Sequence, residues 1–436
     1  MSKIVKPSIL PGFMELLPKD QIQFNRIKEV IRQTYEEFGF LPLDTPLLEK
    51  SEVLLAKGQG ETEKQVYRFE KGSADISMRF DLTVPLARYV AQHYSELNFP
   101  FRRYHIAKVY RGERNQRGRY REFYQCDIDT IGENSLDIIN DAEIPAVIYN
   151  LFSRLDIGDF TIRINNRKVL KGFFESLGIE DSQSVLRIVD KVEKIGVENV
   201  VKEITELGIS NEAANSIMDF ISVKGTNSEK IQQLKDLGIQ NEIFTEGLGE
   251  IEQVFEYLKA FQVPEKNTNF DLTIARGLDY YTGTVYETML NAHPEIGSIC
   301  SGGRYDDLAG FYTKQKLPGV GISIGLTRLF FQLKDAGIIK DEENTLSDVL
   351  IIPFDGFVND AISLATELRK SGVKVFLYTE KAKLGKKMKY ADGLSIPYTI
   401  MVGEDEVKNQ KFMFKDMKSG NQEELSIEDI VSKFNK

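Results

Sequence analysis

Apolar positions along this chain fall into distinct regimes. From Asp20 to Phe38 they recur at Phe24, Ile27, Val30, Ile31, Tyr35 and Phe38, the spacing of one helix face. Gly39 stops that helix, and the proline-punctuated FLPLDTPLLE continues as an extended segment. Between residues 76 and 170 strand and helix patterns alternate, the strands long and rich in β-branched and aromatic residues. Residues 168–263 change character: Glu, Lys, Leu and Ile recur with helical period between Gly-rich turns, which predicts a helical insert. Strand character returns from Phe270 to Thr327. Beyond a polar linker at 340–348, VLIIPF, VKVFLYT, YTIMVG and KFMFKDM read as apolar strands between amphipathic helices, a small α/β domain whose sheet is covered by helices.

A chain of 436 residues has room for two or three domains, and its apolar and charged fractions are those of a soluble globular protein. No apolar run approaches the ~20 residues of a membrane span, and MSKIVKPSILPGFMELLP lacks the apolar core of a signal peptide, so a cytoplasmic protein is expected. Cys126 and Cys300 make neither a metal spacing nor a disulfide framework. The three histidines are scattered, which argues against a His-rich zinc site, and none has a triad-like context. A net charge of -10 argues against a protein coated in nucleic acid and leaves room for a local basic surface on an acidic body.

Several segments carry polar groups that a purely structural strand does not need. In MRFDLT, an expected strand, Met78, Phe80 and Leu82 point one way and Arg79, Asp81 and Thr83 the other. Thr83, with Pro85 two residues on, reads as the N-cap of a following helix. In EFYQCDIDTIG, Tyr124, Cys126, Ile128 and Thr130 share one face, and Phe123, Gln125, Asp127 and Asp129 share the other. Such a face belongs to solvent or to a ligand cleft, where Asp129 would suit an amino group and Gln125 an amide or imidazole. RGERNQRGRYRE, residues 111–122, holds five arginines in twelve positions. Arg111 closes one strand and Arg119 and Arg121 open the next, an arrangement for a phosphate clamp or for a solvated charged loop.

PGVGISIGLTRLF, residues 318–330, has glycines at 319, 321 and 325, a spacing that is not the dinucleotide fingerprint. It predicts a strand passing close beneath a ligand, or a packing seam, that leads into a helix carrying Arg328. RGLDYYTGTVYE, residues 276–287, sets Arg276, Tyr280 and Tyr281 near Gly277 and Gly283: a planar cation for phosphate or carboxylate and flat hydroxylated walls for a small polar substrate. SGGRYDDL at 301–308 adds another Gly-Gly, Arg and Tyr cluster.

Taken in order, these segments resemble the histidyl-tRNA synthetases, a family of class II aminoacyl-tRNA synthetases. Helix 20–38 with FLPLDTPLLE resembles the first class II motif, with Pro46 at its proline. VYRGERNQRGRYREFYQCDIDTIG resembles the second motif and GISIGLTRL the third, while ARGLDYYTGTVYE and SGGRYDDL resemble the histidine-specific signatures. Synthetases for proline or threonine would share the three motifs and not RGLDYYTG. The resemblance implies an α+β fold, an antiparallel sheet flanked by helices and not a Rossmann fold. Its catalytic domain would comprise residues 1–167 and 266–340, split by a helical insertion at 168–265 and followed by an anticodon-binding α/β domain at 347–436. In that last domain Lys381, Lys383, Lys386, Lys387 and Lys389 form a cluster suited either to phosphates or to a solvated helix face.

The resemblance further implies a ligase that activates L-histidine with ATP and transfers it to tRNA(His), as a homodimer, with Mg2+ arriving on ATP and no dedicated metal site. Carried onto this sequence, Asp81, Leu82, Thr83, Gln125, Asp129, Tyr280, Tyr281 and Tyr305 would bind histidine. Arg111, Glu113, Arg119, Phe123 and Arg328 would bind ATP, with Phe123 on adenine and Arg328 on the γ-phosphate. Arg111 and Arg276 would be catalytic, Arg276 beside the α-phosphate, and Arg114, Gln116 and Arg117 would lie where the loop meets the tRNA acceptor end. Asp81 and Asp129 stand where many bacterial members have Glu, and Asp307 where Gly is usual. The alternative in another class is the non-enzymatic, synthetase-like regulatory subunit of ATP phosphoribosyltransferase. Such proteins usually lack the C-terminal domain and lose the histidine signatures.

Overall fold

The computed structural model describes residues 4–56, 64–113, 118–189, 191–274, 281–339 and 345–434. Two compact units divide the chain: residues 1–14 with 27–339, and residues 15–26 with 340–436. In the first unit the strands are Leu41–Pro42 (β1), Leu48–Lys50 (β2), Arg68–Lys71 (β3), Ala74–Met78 (β4), Phe101–Tyr110 (β5), Glu122–Ile131 (β6), Phe160–Asn166 (β7), Thr268–Phe270 (β8), Thr284–Leu290 (β9), Cys300–Tyr305 (β10) and Gly319–Ile324 (β11). Eight of them make one sheet, in the order β1-β5-β6-β11-β10-β9-β7-β8. Only the edge pairs β1 with β5 and β7 with β8 are parallel. This is the α+β, antiparallel-rich sheet that the sequence led us to expect.

Register gives the sheet its two characters. Phe123, Gln125, Asp127 and Asp129 of β6 stand opposite Val109, Ala107, His105 and Arg103 of β5. On the other side, Asp127 and Asp129 stand opposite Ser323 and Gly321 of β11. Cross-strand partners share a face, so the centre of one face is polar. The opposite face is apolar and covered by helices. Tyr35, fully buried in the helix Pro18–Glu37, donates its hydroxyl to the Cys126 carbonyl at 3.1 Å and packs 6.2 Å from the Tyr104 ring. The helix Leu326–Asp335, entered directly from β11, buries Leu326, Leu329, Phe330 and Leu333.

The segment MRFDLT departs from the alternation read in it. Strand β4 ends at Met78, and residues 79–82 are irregular. Arg79 is buried, its guanidinium donating to the carbonyls of Lys108 at 2.9 Å and Thr45 at 2.6 Å. The helix that follows is Thr83–Gln92, so Thr83 is its first residue and not its cap. Asp81 supplies the capping oxygen by accepting the Val84 N–H at 3.1 Å, and the Thr83 side chain is left to face elsewhere.

Helices occupy the stretch from Arg167–Ser176 to Glu242–Ala260. Four of them begin at side-chain caps from Asn166, Ser210, Thr226 and Asn241, and Thr226 with Glu229 completes a reciprocal capping box.

The second unit contains Val349–Pro353 (β12), Val375–Leu377 (β13), Tyr398–Val402 (β14), Phe412–Asp416 (β15) and Gln422–Leu425 (β16), ordered β13-β12-β14-β15-β16. Alternate residues of β12 serve two cores: Val349 and Ile351 pack with Leu364, Ile400 and Phe414, while Leu350 and Ile352 pack with Tyr378, Ala391 and Ile396. Lys387 leaves the expected lysine surface. It is buried, and its ammonium donates to the Pro353 carbonyl at 2.7 Å, 5.5 Å from the Tyr378 ring centre. Lys381, Lys383, Lys386 and Lys389 are exposed. Among the described residues no helix is long and apolar enough to cross a membrane.

A second deeply buried arginine of the first unit, Arg304 of β10, pairs with Asp141, with Nε donating to the carboxylate at 3.0 Å and Nη2 to the Leu136 carbonyl at 3.0 Å. Removing one partner strands the other charge in the core. Arg304→Ala is therefore expected to lower the unfolding free energy by about 3–5 kcal/mol, measured by urea denaturation.

Candidate functional site

The polar face of the sheet floors a cavity of ≈ 520 Å³. At a strand rise of about 3.3 Å per residue, its floor extends roughly 20 Å along β6 from Phe123 to Asp129. Asp81, Thr83, Gln125, Asp129, Tyr281 and Tyr305 all line it, and so do Arg111, Glu113, Arg119, Phe123 and Arg328. Leu82 does not. Its side chain is fully buried with Ala107 and Val109 against Phe123, and its contribution is a carbonyl that accepts from Arg103 at 3.3 Å. Arg276, Tyr280, Arg114, Gln116 and Arg117 lie outside the described residues.

The glycines of β11 serve the site by making room. A Cβ at Gly321 would lie 2.3 Å from Asp129 Oδ1, and one at Gly319 would lie 2.5 Å from the Tyr305 ring. The packing-seam reading of this glycine run is met: the seam is tight, and what it admits are two side chains that line the cavity.

Two regions of opposite character share the cavity. At the deep end Asp129 is held from both sides. Arg103, with no exposed surface, approaches Oδ2 at 2.6 Å, and the Tyr305 hydroxyl donates to Oδ1 at 2.8 Å. Asp127 lies beside it, and Gln125 Nε2 donates to Ser323 Oγ at 2.6 Å. At the hairpin end the groups are cationic and aromatic. Arg111 donates to the Phe80 carbonyl at 2.9 Å and lies 5.2 Å from the centre of the Phe123 ring. Arg119 pairs with Glu113 at 3.3 Å, and Arg328, in the helix beyond β11, donates to the Ile296 carbonyl at 2.8 Å. Arg121 takes no part in a clamp: it donates to the Glu113 carbonyl at 3.0 Å and to the Pro11 carbonyl at 3.4 Å, and its side chain packs on Gly12.

Burial sets the protonation of the deep end. It pushes Asp127 up to about 7 and Asp129 up to about 6, with the Arg103 guanidinium pulling against it in both. Asp81 is raised by burial as well, opposed by the Val84 N–H and by Arg111. His105, opposite Asp127, is driven down to about 3 by burial and by the field of Arg103, so its ring is neutral. Acceptors gathered at one end suit an ammonium or an imidazole N–H; guanidiniums beside an aromatic ring suit a nucleoside triphosphate. Among the described residues no group of three His, Cys, Asp or Glu side chains is placed to hold a metal ion.

Sequence reasoning passed over Arg103, Ser323 and Glu287, which were read as parts of strands. Arg103 carries a signal only in its register, directly across from Asp129. Glu287 lines the cavity and pairs with Arg163 at 3.4 Å.

Comparison with known proteins shows the family and the fold. Residues 12–329 match the sequence model of the Histidyl-tRNA synthetase family, and residues 348–436 match that of the Anticodon binding domain. A histidine–tRNA ligase of Clostridium tetani is 63% identical over 98% of this chain and 98% of its own. The crystal structure of the histidyl-tRNA synthetase from Nostoc sp. PCC 7120 superposes with a TM-score of 0.93 at 41% identity, covering 99% of each chain. A structure from Bacillus halodurans, described as an ATP phosphoribosyltransferase regulatory subunit/histidyl-tRNA synthetase, shares the fold at a TM-score of 0.75 and 22% identity, over 89% of this chain and 97% of that one.

Raised carboxyl pKa values have a measurable consequence. A group whose folded pKa exceeds its unfolded value adds stability below the unfolded pKa and loses it as pH rises through the folded one. Asp127→Asn, which cannot ionise, is expected to melt at higher temperature than the parent at about pH 8, with the difference vanishing near pH 4, in thermal unfolding scans of the ligand-free protein.

Proposed function

The chain belongs to the histidyl-tRNA synthetase family and is a histidine–tRNA ligase that uses ATP, and we propose that the cavity on the polar face of the sheet is where it works. One observation carries the reading: an acceptor-lined end and a cation-lined end meet in a single cavity, as joining an amino acid to a nucleotide requires.

Histidine would sit at the deep end, its ring against Asp129 and Tyr305 and its amino group among Asp81, Thr83 and Gln125, with Tyr281 closing the side; Tyr280 is assigned to histidine by family resemblance alone. ATP would lie toward the hairpin, adenine on Phe123 and phosphates among Arg111, Arg119 and Arg328. The Glu113–Arg119 pair is solvent-accessible and weak, so phosphate can take the arginine from it. ATP would arrive as its Mg2+ complex, in which the ion would offset part of the triphosphate charge.

The first step forms a bond from the histidine carboxylate oxygen to the α-phosphorus, and pyrophosphate leaves with the broken bond's electrons. In the second, the terminal ribose hydroxyl of tRNA(His) attacks the adenylate carbonyl; AMP leaves and the hydroxyl proton is lost to a base or to water. No protein nucleophile enters either step. The protein's share is alignment and positive charge set where negative charge grows on phosphorus, from Arg111 and, by family resemblance, Arg276. The C-terminal unit would take the anticodon, with Lys381, Lys383, Lys386 and Lys389 available to phosphates. A homodimer in the cytoplasm completes the proposal. The regulatory-subunit alternative has no feature in its favour here, since the chain keeps both the anticodon-binding domain and the histidine signatures.

Histidine-dependent ATP–pyrophosphate exchange tests the assignment. Arg111→Ala and Arg276→Ala are each expected to lower its kcat by roughly 100-fold or more while histidine still binds in calorimetry. Near-normal exchange by both variants would remove the arginines from the mechanism.

A further inference from the structure

The floor of the cavity contains a short relay whose direction can be deduced. Gln125 Nε2 donates to Ser323 Oγ at 2.6 Å, which leaves the serine hydrogen free for the Asp127 carboxylate directly across the strands, whose pKa the serine draws down. Asp127 and Ser323 are direct cross-strand partners, and Gln125 and Asp127 follow each other on the same face of β6. A hydroxyl has one hydrogen. With that hydrogen given to Asp127, Ser323 can meet Gln125 only with a lone pair, so the amide must turn its NH2 to the serine. Its carbonyl oxygen must then point away. Gln125 Oε1 is buried and accepts no hydrogen bond among the described residues, although its residue lines the cavity. A buried amide oxygen in that condition is costly unless a ligand supplies a hydrogen.

The position along β6 identifies that hydrogen. Arg111 lies over Phe123, two residues from Gln125, and marks the end where the reacting carboxylate meets phosphate. The amino group of an α-amino acid shares a carbon with its carboxylate, so it falls beside Gln125 and the nearby Asp81. Asp129, deeper in, already has both oxygens engaged and is fixed for the ring.

We infer that Asp127 is a positioning residue for amino-acid recognition: acting through Ser323, it holds the Gln125 amide with its carbonyl oxygen toward the amino group of bound histidine. The inference rests on the proposed histidine site. Asp127→Asn undoes the arrangement without changing shape. An amide at 127 can donate to Ser323, the serine hydrogen then goes to Gln125 Oε1, and Gln125 presents NH2 to a cation. Ser323→Ala breaks the relay by deletion and guards against a folding defect peculiar to the first variant.

The test is ATP–pyrophosphate exchange with histidine as substrate and imidazolepropionate, which is histidine without its amino group, as competitive inhibitor. In both variants the KM for histidine is expected to rise roughly 10- to 100-fold, while the KM for ATP and the inhibition constant of imidazolepropionate stay within about twofold of the parent values. An unchanged histidine KM overturns the inference. So does a parallel loss for histidine and imidazolepropionate, which is what a collapsed pocket or a contact to the ring would give. A parent protein with no histidine-dependent exchange overturns the site reading itself, and the two failures are thereby distinct.

Discussion

A guanidinium with no exposed surface organises the polar face of this sheet. Arg103 pairs with Asp129 at 2.6 Å and donates to the Leu82 carbonyl at 3.3 Å. It thereby ties the central strands to the turn that launches the helix Thr83–Gln92 and presents Asp81 and Thr83. Its positive charge opposes the burial that raises Asp81, Asp127 and Asp129, and adds to the burial that keeps His105 neutral. A buried ion pair contributes little net stability once desolvation is counted. What it contributes here is geometry: a carboxylate held on both oxygens cannot turn, so its remaining lone pairs keep fixed directions.

The cavity separates charge along a single strand. Acceptors collect toward Asp129, in a region dry enough to raise their pKa values, while arginines collect toward the β5–β6 hairpin, where solvent screens them. That separation suits a reaction in which an amino acid must keep its ammonium away from the guanidiniums that bind phosphate. Preorganised dipoles and charges of this kind stabilise a developing charge without reorganisation during the reaction. The mouth is looser than the floor, since the Glu113–Arg119 contact is exposed and exchangeable whereas Gln125 is held on the buried floor by Ser323, the cross-strand neighbour of Asp127.

Much of the fold was legible because alternation was strong. β6 is ten residues long, and a slip of one residue would turn Asp127 and Asp129 into the apolar layer, so its faces could be read directly. The short MRFDLT was misread as strand because its alternation is equally that of an irregular turn whose Arg79 is buried on carbonyl groups. Arg121 and Lys387 misled for a related reason. A charged residue in a charged run looks exposed, and only distant backbone carbonyls, at Pro11 and Glu113 or at Pro353, show that these two are structural.

By itself the sequence determined the faces of the strand Glu122–Ile131, the run of arginines and the family, because each depends on residues near one another or on motifs in order. Most of the site residues it named do line the cavity. Tertiary structure alone decided which of them touch. Arg103 meets Asp129 and Ser323 meets Asp127 through strand pairings spanning many residues of chain, and no local period encodes a register between strands. Burial was decided there too. The raised carboxyl pKa values and the fixed Gln125 amide arise only when water is excluded by elements the strand itself does not contain.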